Sequence, residues 1–167
     1  MNLRTLSLFA ICVAGIAPPA FAQTYPAKPV RMIIGFPPGG GTDIVGRIVA
    51  QKLGDALGQQ IIVDNRGGAS GQLAAEVVSR VTPDGYTVMM AHIAAMAILP
   101  SLVAKLPYDP LRDFAPVSLA AIGPNLLVVH PSVPAKNLQE FMALAKAKPG
   151  ELFYASSGVG GPNHLVG

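Results

Sequence analysis

Cysteine is nearly absent: Cys12 is the single example among 167 residues, and it lies in the N-terminal leader described below. The rest of the chain therefore has no disulfide, no thiol nucleophile and no thiolate-ligated metal. Tryptophan is missing and aromatic residues make up only 6% of the chain, so the core must be built from Val, Ile, Leu, Ala and Met. Charge is scarce too, at 13% of residues, and the lysines and arginines form no basic run. That pattern argues against nucleic-acid binding and against a polybasic membrane contact. With 51% hydrophobic residues, it suits an α/β domain whose strands are covered on both faces.

The leader has the organisation of a secretory signal. Arg4 provides the positive start, Leu6 to Ile16 an apolar stretch, and Ala20-Phe21-Ala22 a small-x-small cleavage site. Residues 1–22 are read as a signal peptide cut after Ala22, with Gln23 as the mature start. The apolar stretch falls well short of the roughly 20 residues that span a bilayer. Cys12 sits inside that stretch behind Ile11, which disfavours a lipoprotein site. The mature part, 167 − 22 = 145 residues, can bury one modest core. Without Arg4 it carries 11 basic and 9 acidic groups, a net charge of +2.

What stands out in the mature chain is Phe36-Pro37-Pro38-Gly39-Gly40-Gly41-Thr42-Asp43. It joins an apolar strand, Val30 to Phe36, to an amphipathic helix expected over Ile44 to Leu57 and closed by Gly58. Glycines admit close approach of a ligand, and a helix N-terminus offers unpaired amides and a favourable dipole to an anion. Downstream, Ile61 to Val63 is expected as a second strand and Ser70 as the cap of a helix from Gly71 to Val81. Pro83-Asp84-Gly85 is a turn before a third strand, Tyr86 to Ala91. This order predicts a parallel, doubly wound sheet with right-handed crossovers. Helical pieces are expected at Ile93 to Leu99 and from Pro100, with an irregular connector framed by Pro107 and Pro110. Further strands are expected at Phe114 to Ile122, Leu126 to Val129 and Leu152 to Ala155, and a helix at Leu138 to Lys148. The segments divide into a first α/β domain, 23–122, and the start of a second, 123–167, with the break at Gly123-Pro124.

A second glycine-rich segment, Ser156-Ser157-Gly158-Val159-Gly160-Gly161-Pro162, also follows a predicted strand and precedes a helix begun by Asn163-His164-Leu165. Ligands of open α/β sheets bind at that edge. Two such loops facing each other would line a cleft with amide and hydroxyl donors and no cationic clamp, suited to a carboxylate. Tight turns demand glycine with or without a ligand, so either loop alone is ambiguous. Asp43 is read either as a first-turn acid interacting with the helix dipole or as a residue that orients the loop or meets a ligand. His164 and His92 have both packing and ligand readings, and His130 reads as a strand-end residue.

Rival motifs fit poorly. A phosphate-binding loop needs lysine after its glycines, where Gly41-Thr42-Asp43 has an acid. A dinucleotide fingerprint beginning at Gly39 and Gly41 meets Ile44 at its third glycine, although Asp64 stands where a ribose-binding acid belongs. No Gly-x-Ser-x-Gly elbow and no zinc-protease histidine spacing occurs.

One family carries this whole series of motifs. Tyr25-Pro26-x-Lys28-Pro29-Val30-Arg31, Phe36 to Asp43, Val63-Asp64-Asn65-Arg66, Pro83-Asp84-Gly85-Tyr86-Thr87, Leu106-Pro107-Tyr108-Asp109-Pro110 and Asp113-Phe114-Ala115-Pro116-Val117 follow in order. Tyr154-Ala155-Ser156-Ser157-Gly158 and His164-Leu165 complete it. The mature chain thus resembles Bug-type receptors, the extracytoplasmic solute-binding component of tripartite tricarboxylate transporters. The resemblance implies a type II periplasmic-binding-protein-like fold of two α/β domains closing on a small organic carboxylate, here as its N-terminal half. It implies ligand-binding roles for Phe36, Gly39, Gly40, Gly41, Thr42 and Asp43, with Ser156, Ser157 and Gly158 opposite. It further implies a periplasmic monomer with no cofactor, no metal and no catalysis, and membrane transporter subunits as partners. Family ligands include citrate-like acids, dicarboxylates, acidic amino acids and aromatic acids. Ala91-His92-Ile93 departs from the small or hydroxyl residues usual there, which bears on ligand identity. The competing expectation is a secreted α/β enzyme using Asp43 or His164 as an acid-base group, which requires a second titratable group within reach.

Overall fold

The computed structural model describes residues 24–166, so the signal-peptide reading lies outside the described residues. Three strands, β1 (Val30–Ile34), β2 (Ile61–Asn65) and β3 (Thr87–Met90), form one parallel sheet in the order β2-β1-β3. Val30 pairs with Ile61 on one side of β1, and Arg31 with Thr87 on the other. Helix α1 (Gly41–Leu57) connects β1 to β2, and α2 (Gln72–Ser79) connects β2 to β3. The chain moves outward from β1 in one direction and then in the other. Right-handed crossovers therefore place the two helices on opposite faces of the sheet.

Burial follows that layering. In β1, Met32, Ile33 and Ile34 are all buried, as expected of a central strand covered on both sides. Met32 and Ile34 pack with Ala50 of α1, flanked by Val49, Ile61, Val63, Val88 and Met90. A second cluster joins Ala75 of α2 to Ala95 and Tyr108, whose hydroxyl donates to Ala95 O at 2.6 Å. Small residues let the layers approach. At Gly35, just past β1, an added Cβ would lie 2.9 Å from the Gly71 Cα, a main-chain atom that cannot move aside cheaply.

Several boundaries differ from the sequence expectation. Helix α1 begins at Gly41, not Ile44, so Gly41, Thr42 and Asp43 belong to its first turn. Its end is as expected: Gly58 is left-handed (φ 64°) and its amide donates to Gly54 O. Ser70 does not cap a helix; it lies in a short 3-10 turn, Ala69–Gly71, with φ 55°. The expected helix at 93–99 is a π-type turn, Ala94–Ile98, leading into α3 (Leu99–Leu102). Pro100 has no N–H for a regular helical bond back to Met96, which accounts for the wider turn. The expected helix at 138–148 is α4 (Leu138–Ala147), where Asn137 Oδ1 accepts from Glu140 N and Glu140 accepts from Lys136 N. A last short helix, α5, spans Pro162–Leu165.

The expected strands at 114–122, 126–129 and 152–155 are not formed. A strand exists only when a neighbour satisfies its main-chain groups. Among the described residues none of these segments pairs with the sheet, and Val117 is 94% exposed and Leu126 85%.

The Gly35 contact supplies a direct test of this packing. Gly35→Ala should lower unfolding free energy by about 1–3 kcal/mol in denaturant titration, because the added methyl overpacks main chain against main chain.

Candidate functional site

In the order β2-β1-β3 the chain leaves β1 for β2 on one side and later crosses to β3 on the other. The carboxyl ends of β1 and β3 are where a doubly wound sheet of this order takes its ligand. Phe36 follows the first and His92 the second. Their rings meet edge to face with centroids 4.7 Å apart. His92 Nδ1 accepts from Ala94 N at 3.3 Å, and burial holds the imidazole below its ordinary pKa. His92 is therefore a packing partner of Phe36, and its burial disfavours the charged form.

Asp43 organises the first glycine-rich loop. It is 2% exposed, and both carboxylate oxygens accept hydrogen bonds. Oδ2 accepts from Gly39 N (2.9 Å) and Arg47 Nε (2.9 Å), and Oδ1 from Asn65 Nδ2 (2.8 Å). Asn65 Nδ2 also reaches Phe36 O at 3.0 Å, while Arg47 Nη2 donates to Asn65 Oδ1 at 3.1 Å. The Arg47 bond first, then the Gly39 amide and Asn65, hold the Asp43 carboxyl well below the usual carboxylate range. Of the two readings of Asp43, this geometry matches the loop-orienting one. Three of the carboxylate's roughly four acceptor sites are taken up within the loop network.

This network also sorts the loop's amides. Gly39 N is committed to Asp43, and Gly40 N lies 3.4 Å from Pro37 O. The N-cap residue Gly40 offers no side-chain cap, and the first main-chain helical bond is Ile44 N to Gly40 O. Among the described residues, the amides of Gly41, Thr42 and Asp43 thus remain without a main-chain or capping partner. Gly41 is open, with nothing within 4 Å of where a Cβ would be. Three unpaired donors at the positive end of a 17-residue helix are an arrangement that favours an anion.

The second loop meets the segment that follows β2. Ser70 Oγ donates to Val159 O at 2.7 Å, and a Cβ on Gly158 would lie 3.1 Å from the same oxygen. Gly160 and Gly161 are buried, the former against Leu99. Ser156 and Ser157 are exposed, with Ser156 Oγ 3.4 Å from Gly158 N. Between the loops stands Gly71, where a Cβ would be 3.6 Å from the Phe36 ring. Gly67 to Gly71 is therefore a third glycine-rich turn at the carboxyl edge of the sheet, after β2. The sequence pattern suggests only a helix cap at Ser70. The position of these glycines directly after an apolar strand, as in the first loop, is the signal that points to them.

Other candidates fall away. Asp64, at the ribose-acid position of the dinucleotide pattern, is engaged by two arginines, accepting from Arg31 Nε (2.9 Å) and Arg66 Nε (3.2 Å). His130 pairs with Ser132 on an exposed turn. His164 Nδ1 is buried without a partner among the described residues. An open hollow of about 720 Å³ lies between Met96, Val103, Tyr108 and Arg112. Its charged rim is internally paired, Arg112 Nε donating to Asp109 at 2.7 Å. The described residues hold no cluster of three metal-ligating side chains and no helix long and apolar enough to cross a membrane.

The comparisons agree on one class of protein. Residues 45–167 match the tripartite tricarboxylate transporter family receptor, and the chain belongs to that family. Protein BugT of Bordetella pertussis is 40% identical over 165 residues, covering 98% of this chain and 50% of the relative. Among solved structures, R. palustris Rpa4515 with adipate is 36% identical with a TM-score of 0.78, covering 82% of this chain and 46% of that one. MatC (Rpa3494) from Rhodopseudomonas palustris with bound malate is also 36% identical, with a TM-score of 0.69 over 74% of this chain and 42% of that one. The fold is thus that of the periplasmic receptors of this family, and the chain spans about half the length of the curated relatives it matches.

Two measurements probe the Asp43 network. Asn65→Ala removes bonds to Asp43 and Phe36 O together and should destabilise by about 1–3 kcal/mol in chemical denaturation. Because the folded-state pKa of Asp43 is depressed, its contribution is complete above the unfolded value of about 3.9 and declines as pH falls from there toward the folded one. Stability measured from pH 6 down to pH 2 should fall more steeply in the parent than in Asp43→Asn. The difference should be confined to the region below about pH 4.

Proposed function

We propose that this protein is a receptor for small organic carboxylates, exported to the periplasm by its leader and cleaved after Ala22. A carboxylate oxygen is held by the amides of Gly41, Thr42 and Asp43 at the start of α1. Phe36 and the Gly39-Gly40 turn shape the near wall, and Ser156, Ser157 and Gly158 supply the far one. The observation that carries this reading is the uncapped first turn of α1, whose donors follow the carboxyl end of β1 while Asp43 and Arg47 neutralise each other beneath it. Bonds to a charged acceptor are about twice as strong as neutral ones, so amides suffice without a cationic clamp. The relatives solved with adipate and malate support the same ligand class.

In this reading the receptor is a monomer of two α/β domains, 23–122 and from 123 onward. It hands its ligand to membrane subunits and catalyses nothing. Asp43 is a poor proton carrier, because three donors hold it ionised. The enzyme alternative therefore loses one of its two acid-base candidates, Asp43 and His164.

Gly41→Pro isolates the amide contribution. Gly40 is already extended (φ −75°, ψ 164°), as a residue before proline must be, and proline is well tolerated at the first helical position. The variant should keep the parent's melting temperature and lose one donor to the carboxylate. In calorimetric titration with malate, adipate and citrate, affinity should fall about tenfold or more for whichever acid the parent binds. A parent that binds no di- or tricarboxylate would overturn the receptor reading.

A further inference from the structure

Ala69 and Ser70 combine a positive φ (46° and 55°) with a side chain, a conformation that favours glycine, and Gly71 follows at 91°. Ser70 is 4% exposed, and its Oγ donates at 2.7 Å to Val159 O, 89 residues away. The loop it touches is closely fitted: a Cβ on Gly158 would lie 3.1 Å from Ser70 Oγ, one on Gly160 2.7 Å from Leu99 Cδ2, and one on Gly161 2.9 Å from Ser157 Oγ. Gly71, the next residue, borders the Phe36 ring. A side chain thus occupies a backbone position where glycine is easier, and its one polar atom reaches across to the second loop.

We propose that Ser70 is the positioning residue of the second glycine-rich loop. Its hydroxyl seats the turn at 158–161 against the first unit and thereby fixes where Ser156 and Ser157 present their donors. The strained backbone and the cross-chain bond belong together, because the φ of Ser70 aims its Oγ at Val159 O. For the ligand, this inference rests on the receptor reading above; the seating of the loop does not.

Ser70→Gly and Ser70→Ala separate the terms. Glycine relieves the backbone strain and removes the hydroxyl, whereas alanine keeps the strain and removes the hydroxyl. The Gly161 amide, which donates to Gly158 O at 3.1 Å, reports on the seated turn. Its hydrogen exchange should quicken about tenfold in both variants, while Ser70→Gly stays within about 3 °C of the parent in melting temperature. Affinity for the acid that the parent binds best among malate, adipate and citrate should weaken about fivefold in both. A merely structural serine would lower the melting temperature in both variants without singling out Gly161. Unchanged exchange at Gly161 overturns the proposal, and so does faster exchange with unchanged affinity. If the parent binds none of the three acids, the receptor reading fails by itself, and the exchange result alone decides whether Ser70 seats the loop.

Discussion

The carboxylate of Asp43 accepts from a loop amide, a helix guanidinium and a strand-end carboxamide at once, and the carboxyl edge of the sheet takes its form from those bonds. Gly39 is drawn back onto the helix start, Asn65 ties β2 to the loop, and Arg47 supplies the countercharge from the next turn of α1. The acid also sits where the helix dipole favours it. Asp43 and Arg47 cancel, so the start of α1 adds no net side-chain charge. An anion at that turn would meet main-chain dipoles, which give direction and hydrogen-bond geometry more than long-range pull.

That arrangement explains why related motifs elsewhere do different chemistry. A strand, a glycine turn and a helix start are shared with phosphate and dinucleotide loops. Here the lysine that would clamp a phosphate is replaced by the loop's own organiser, and the acid that would read a ribose is locked between Arg31 and Arg66. A compact, modestly charged group such as a carboxylate fits what remains. The family to which the chain belongs, and the adipate and malate of its solved relatives, are consistent with that chemistry.

The carboxyl edge holds three glycine-rich turns, one after each of β1 and β2 and one near the end of the described chain. The middle turn, 67–71, contacts both others, through Pro37 and Phe36 on one side and Gly158 on the other. It joins the two walls that the proposed ligand would bridge. In receptors that close on a ligand, such a connection decides how far one wall can move relative to the other.

Much of the first unit could be read locally. Val30 to Ile34, the helix ending at Gly58 and the turn at Pro83-Asp84-Gly85 announce themselves through periodicity and through Gly and Pro, all properties of a few neighbouring residues. The ordered motifs from Tyr25 to Leu165 were enough to indicate the family, since their sequence does not depend on packing. Tertiary structure decided the rest. Apolar runs at 114–129 and 152–155 look like strands, yet a strand needs a partner that no local pattern supplies. Asp43 became a loop organiser through Asn65, 22 residues on, and Ser70 found its acceptor 89 residues away. Patterning and punctuation act over a turn or two of chain and are written in the sequence. The partners of buried polar groups are set by distant segments that meet only when the chain has folded.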